Sequence, residues 1–225
     1  MTEPPGKLVP IVEGDGELDA VRWLLRQVLH ERGEFGLDVT RPVNAHGKGN
    51  LTVAGGLEKH LEYAALRPGC RGILVLVDAN GDCPIETAQG LAERAAGRRM
   101  SVPTAVVAAR RAYENWLVAS IETLRGHCEI RPDAPTEKDA ESVGDAKGWL
   151  TRQMRRGRSY KERIDQFPLT RHLDRDLVAK RCRSFQRLLH GLTFLVQAAR
   201  EGTASVDPDP EALRTRLQSR ATGRR

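Results

Sequence analysis

The sequence predicts an α/β protein, a mainly parallel sheet flanked by helices and followed by a helical annex. Three observations carry that expectation. Short apolar runs alternate with helical patterns from the start to about residue 125. The run Gly72-Ile73-Leu74-Val75-Leu76-Val77 carries no polar side chain, as befits a strand covered on both faces. From Asp145 onward every pattern is helical.

Taken in order, residues 8–12 read as the first strand and 17–32 as an amphipathic helix. Its apolar positions Leu18, Val21, Leu24, Leu25, Val28 and Leu29 recur three and four apart. Residues 37–43 read as a second strand. Residues 51–66 read as a helix weakened by Gly55-Gly56. After the central strand at 72–77 come a helix at 85–98, a strand at 104–109 and a helix at 113–124. Residues 126–143, with Pro132, Asp133 and Pro135, make a polar connection. Helical patterns then cover 147–156, 160–167 and 174–200. The last shows a broad apolar stripe of Leu177, Cys182, Phe185, Leu188, Leu189, Leu192, Leu195 and Val196. The expected organisation is therefore an α/β domain over 7–125, a basic helical annex over 126–200, and a frayed polar tail over 201–225 with one short helix at 211–218.

Composition narrows the classes. A chain of 225 residues, 40% hydrophobic and 29% charged, can bury a core without a disulfide or metal staple, and is not disordered. No apolar run approaches the roughly 20 residues of a spanning helix. The opening Met1-Thr2-Glu3-Pro4-Pro5-Gly6 lacks the basic and apolar regions of a secretory signal. Cys70, Cys83, Cys128 and Cys182 form no C-x-x-C pair, so reduced thiols acting as small buried apolar groups, in a cytoplasmic protein, are expected.

Charge is unevenly spread. Residues 1–143 hold 17 Lys and Arg against 21 Asp and Glu, a net of −4; residues 144–200 hold 14 against 5, a net of +9. An acidic first half and a basic second half suit a protein that holds a metal in one part and a polyanion with the other.

The acids fall at strand ends. The first strand runs into Glu13-Gly14-Asp15-Gly16-Glu17, the central one into Asp78-Ala79-Asn80-Gly81-Asp82, and the third leads to Glu114. Parallel strands put all three ends on one edge of the sheet, where open α/β sheets gather ligands. Glu13, Glu17, Asp78, Asp82 and Glu114 are thus expected to converge. Carboxylates so crowded repel one another unless protonated or bridged by a cation, and hard oxygen donors suit Mg²⁺ or Mn²⁺. His46-Gly47-Lys48-Gly49-Asn50 lacks the full phosphate-loop spacing; Lys48 either touches a phosphate or sits in a flexible turn.

Five segments and a tyrosine, spread over about residues 8–195, resemble the Toprim domain of topoisomerases, primases, small ribonucleases and overcoming-lysogenisation-defect nucleases. More closely, they resemble a family of small, stand-alone Toprim-like bacterial proteins of unknown function. They are Val12-Glu13-Gly14-Asp15-Gly16-Glu17; Val77-Asp78-Ala79-Asn80-Gly81-Asp82-Cys83-Pro84; Tyr113-Glu114-Asn115-Trp116-Leu117-Val118-Ala119-Ser120; Asp145-Ala146-Lys147; Tyr160; and Ser184-Phe185-Gln186-Arg187-Leu188.

The resemblance implies acid–base work for Glu13 and metal binding by Asp78. Asn80 replaces the second aspartate of the usual D-x-D; its amide oxygen can ligate but one negative charge is lost, which Asp82 would supply if the turn folds back. Glu114 matches the late acidic motif and Trp116 reads as a packing residue. Lys147 and Tyr160 either face a substrate phosphate or fix the annex. The expected activity is that of a Mg²⁺- or Mn²⁺-dependent nuclease or related phosphoesterase. Its metal set is Glu13, Glu17, Asp78, Asn80, Asp82 and Glu114. The basic run Arg152, Arg155, Arg156, Arg158, Lys161 and Arg163 would grip flanking phosphates without base reading. Such families also suggest work beside an ATPase in bacterial anti-phage defence. The rival expectation is a non-catalytic binding or regulatory subunit of an ATPase complex.

Overall fold

Strand β4 (Cys70–Asp78) sits in the middle of the sheet and explains the unbroken apolar run, because helices cover both of its faces. The computed structural model describes residues 5–209. The helix expected at 211–218 lies outside the described residues. On one side of β4 lies β1 (Gly6–Val12); on the other lies β5 (Thr104–Ala109), and all pairings are parallel. The order is β2-β1-β4-β5-β6, with β2 (Leu37–Val39) and β3 (Val43–Asn44) both against β1, and β6 (Val206–Asp207) beside β5.

Alternate residues feed two cores, as the period of two requires. Leu8, Val12, Leu74, Leu76, Ala105 and Val107 face α1 (Glu17–Glu31), α5 (Glu114–Ala119) and α10 (Arg183–Glu201). Val9, Ile11, Ile73, Val75, Val77 and Val106 face α3 (Gly56–Ala65) and α4 (Pro84–Gly97). The remaining helices are α2 (Lys48–Thr52), α6 (Ile121–Leu124), α7 (Ala146–Gln153), α8 (Glu162–Thr170) and α9 (Arg175–Arg181), with a 3₁₀ turn at Ala140–Ser142. Among the described residues no helix is long and apolar enough to cross a membrane.

Several expected elements are divided, each for a local reason. The strand expected at 37–43 is two short pieces with a break between them. Thr40 N–H and Ala45 N–H donate to the carbonyls of Leu8 and Val12 on that side of β1. Pro10, which lies between those two and shares their side, has no N–H to offer; the break falls where β1 has no donor. The helix expected at 51–66 parts at Gly55, in left-handed conformation (φ 75°), and a Cβ on Gly56 would stand 2.0 Å from the Asn50 carbonyl oxygen. The helices expected at 113–124 and 174–200 break at Ser120 and Cys182.

Two larger corrections concern the C-terminal part. Residues 206–207 belong to the sheet as β6 rather than to a frayed tail. The helices of 126–200 share one core with the sheet: Leu150, Leu169, Val178, Phe185, Leu188 and Leu192 lie in the same apolar cluster as Leu74 and Val107. A stripe as wide as that of α10 needs a whole sheet face to cover it. The cysteines also differ among themselves: Cys182 is buried and Cys83 exposed, and all four are free thiols.

Trp116 ties this arrangement together. It is wholly buried, 5.0 Å from the Tyr113 ring and 5.2 Å from Phe185, and its Nε1 donates to Ser184 Oγ at 2.9 Å. Glu141 accepts the backbone N–H groups of Arg183 and Ser184 (3.0 and 2.9 Å), closing the N-terminus of α10. Trp116→Ala is expected to lower unfolding stability by about 3–5 kcal/mol, read from urea denaturation.

Candidate functional site

The carboxyl ends of β1, β3, β4 and β5 border a cleft of about 410 Å³. Glu13 follows β1, Glu17 opens α1, Asp78 closes β4 and Glu114 opens α5, so each acid stands where a strand gives way to a loop or helix. All four line the cleft, with Asp15, Asn44, His46, Tyr113, Lys147, Glu162 and Gln166.

Backbone donors hold the acids in place. Glu13 Oε1 accepts the Asp78 N–H at 2.7 Å, and the Lys48 backbone N–H also reaches this carboxylate. Glu17 Oε2 accepts the Gly14 N–H at 2.9 Å, while Asp78 Oδ1 accepts the Tyr113 N–H at 3.0 Å. Glu114 Oε1 accepts the hydroxyl of buried Tyr160 at 3.0 Å. Tyr160 thus fixes the C-terminal helices against the acidic edge, which decides between its two expected roles. Glu17 and Glu114 are nearly inaccessible, at 6% and 2% exposure, and Glu17 Oε1 has no hydrogen-bond partner.

Such burial disfavours negative charge. Desolvation pushes the Glu17 pKa up to about 8, and the nearby charges of Glu13 and Glu114 add to it although the Gly14 N–H opposes it. Asp78 is raised by burial and then by Glu17, Glu114 and Glu13. Burial also raises Glu13, against the pull of the Asp78 N–H and of the Lys48 and Lys147 ammonium groups. The four carboxylates therefore feel one another, as the strand-end pattern requires.

Other expected residues lie elsewhere. Asn80, exposed with φ 56°, and Asp82, also exposed, do not line the cleft. The left-handed residue closes a turn in which the Asp82 N–H returns to the Ala79 carbonyl (2.9 Å), and Asp82 Oδ2 meets Lys48 Nζ at 2.9 Å. Lys48 Nζ also donates to the Ala79 carbonyl oxygen at 3.2 Å, so it braces the β4 end. Much of the basic run is matched by acids. Arg152 pairs with Asp145 (3.9 Å), Arg155 with Glu129 (3.8 Å), Arg158 with buried Asp165 (3.6 Å), Arg163 with Asp15, and Lys147 with Glu162. The side chains of Arg156 and Lys161 meet no acid among the described residues.

Sequence reasoning missed Asn44, Glu162 and Gln166 as cleft residues. One signal was available for α8: Gly16 in the first acidic turn. A Cβ there would stand 2.3 Å from Gln166 Oε1 and 2.9 Å from Glu162 Cβ, so the turn admits α8 only as glycine.

The donor set, carboxylate oxygens with one buried atom unpartnered, is the chemistry of a hard divalent cation. Among the described residues no group of three or more His, Cys, Asp or Glu side chains is placed to hold a metal ion. Mg²⁺ asks for less, since one or two carboxylates and retained waters suffice.

Fold and site together define an α/β protein whose parallel sheet carries a row of buried and half-buried carboxylates on its carboxyl edge. The chain belongs to the family described as Domain of unknown function (DUF4276), whose model matches residues 12–193. That span holds all four cleft carboxylates, Lys48 and Lys147. Neither the curated proteins nor the solved structures provide a match.

Because Glu17 ionises near 4.5 when unfolded and about 8 when folded, the native state retains a proton that the unfolded chain has lost between those values. In EDTA, stability should be fully present below about pH 4.5 and fall as pH rises through 8, by up to about 1.4 kcal/mol per pH unit. Asp78 acts in the same direction. Thermal unfolding across pH 5–9 is expected to show this slope in the wild type and a flatter one in Glu17→Gln.

Proposed function

We propose that this protein is a Mg²⁺- or Mn²⁺-dependent phosphodiester hydrolase of Toprim-like type that acts on nucleic acid. The observation that carries the reading is the joining of Glu13 to the end of β4, Oε1 to the Asp78 N–H at 2.7 Å, with Glu17 and Glu114 in the same cleft. Asp78, with Glu17 or Glu114 and retained waters, would hold the cation. When bound, it supplies Lewis acidity and neutralises charge building on the phosphoryl oxygens. Glu13 takes the proton of the attacking water, and partial burial raises its pKa toward the working range of a general base. Lys147 exchanges its Glu162 partner for a phosphate oxygen. Arg156 and Lys161, in the segment of net +9, hold flanking backbone phosphates with no base preference.

A second reading is favoured by one observation. Asn80 stands where a second aspartate would, and Asp82 turns outward to Lys48 instead of replacing it. This suits a non-catalytic subunit that regulates a partner ATPase through the same acidic edge.

Plasmid nicking with Mn²⁺ separates the two. Glu13→Gln and Asp78→Asn should each lower the nicking rate by roughly 10²–10⁴-fold. Equal nicking by wild type and both variants would remove the hydrolase reading. Co-purification with an ATPase encoded beside this protein, without metal-dependent cleavage, would favour the second.

A further inference from the structure

Hydrolysis of a phosphodiester needs two proton transfers, one from the attacking water and one to the departing oxygen. Glu13 answers for the first. Among the described residues lining the cleft, few side chains can make the second. Tyr113 is buried, with its hydroxyl bonded to Thr170 Oγ1 at 2.9 Å; Lys147 is paired with Glu162; and Glu17 lies beneath the β1–α1 turn at 6% exposure.

His46 differs from all of them. It is exposed and lines the cleft at the end of β3, and its ring has no hydrogen-bond or ion-pair partner among the described residues. Its backbone is held in the left-handed region (φ 57°), a conformation that few residues other than glycine, asparagine, aspartate and histidine adopt. The loop enforces it. The His46 N–H donates to Asn44 Oδ1 at 2.7 Å, and Asn50 Nδ2 donates to the carbonyls of Ala45 and His46, both at 2.9 Å. The Gly47 N–H donates to the Glu13 carbonyl at 2.7 Å, which fastens this loop to the acidic turn. Asn44 Nδ2 in turn donates to Asp15 Oδ1 at 2.6 Å. A rigid loop thus presents an unengaged imidazole to the cleft that holds Glu13 and Asp78. The sheet order β3-β1-β4-β5 sets His46 at one end of the row and Glu114 at the other.

We propose that His46 is a further catalytic residue, whose imidazolium contacts the scissile phosphoester and gives its proton to the leaving oxygen. The assignment rests on the hydrolase reading of the acidic cleft. In the step, the water oxygen bonds to phosphorus and its proton passes to Glu13. The bond from phosphorus to the leaving oxygen breaks, that oxygen takes the His46 proton, and nothing is oxidised or reduced.

His46→Asn is the informative variant, because asparagine enters the left-handed region readily and keeps the loop. Its rate with Mn²⁺ is compared with wild type on two substrates: a single-stranded oligonucleotide, whose leaving alkoxide needs a proton, and a p-nitrophenyl ester of a nucleotide, whose phenolate departs without one. The variant should lose about 10²-fold or more in kcat on the oligonucleotide and keep nearly all of it on the ester. Its unfolding temperature should match or exceed that of wild type. Equal losses on both substrates, or no loss on the oligonucleotide, would overturn the assignment while leaving the hydrolase intact. A wild type inert toward both substrates would overturn the hydrolase reading and the role of His46 with it.

Discussion

Crowding of like charge at the carboxyl edge of the sheet is the constraint around which the rest of the structure is arranged. Asp78 and Glu17 are desolvated, Glu13 and Glu114 raise both, and Glu17 raises Asp78 further. Buried ionisable groups in this arrangement oppose folding as they ionise, so their retention calls for a reason other than stability. The backbone offsets part of the penalty with N–H groups from Gly14, Asp78 and Tyr113. Glu17 Oε1 is left over. A cation would complete what these donors leave undone.

The C-terminal helices are what make the edge a cleft. Tyr160 reaches Glu114, Arg163 pairs with Asp15, and α8 rests directly on Gly16, so a segment far along the chain walls off acids supplied by its first half. Trp116 supports the same junction from beneath, between Tyr113 and Phe185. Lys147 and Glu162 form an exposed ion pair on the cleft wall, of a kind that adds little to stability. The His46 loop borders the cleft at the β3 end of the row.

Much of this could be read from the chain because burial leaves a simple mark. The apolar run of β4 identified the central strand, and the first acid after it, Asp78, is the one that enters the cleft. Glu13 and Glu17 were legible for the same reason: in a parallel sheet, residues that end strands share an edge whatever their distance in sequence. Asn80 and Asp82 were not, because the left-handed turn at Asn80 reverses the direction of the loop and periodicity carries no sign of it. The basic run read as open charge since its partners Glu129, Asp145 and Asp165 come from other turns and elements. The gap opposite Pro10 was not legible either, because it falls in the neighbouring strand rather than in β1.

The most direct measurement is an anomalous difference map from crystals grown with Mn²⁺ near neutral pH. A peak within ligating distance of Asp78 and of Glu17 or Glu114, displacing the proton that the cation-free cluster retains, is the predicted result. Mn²⁺ bound only at other surfaces, with the four carboxylates unmoved and unligated, would contradict the account.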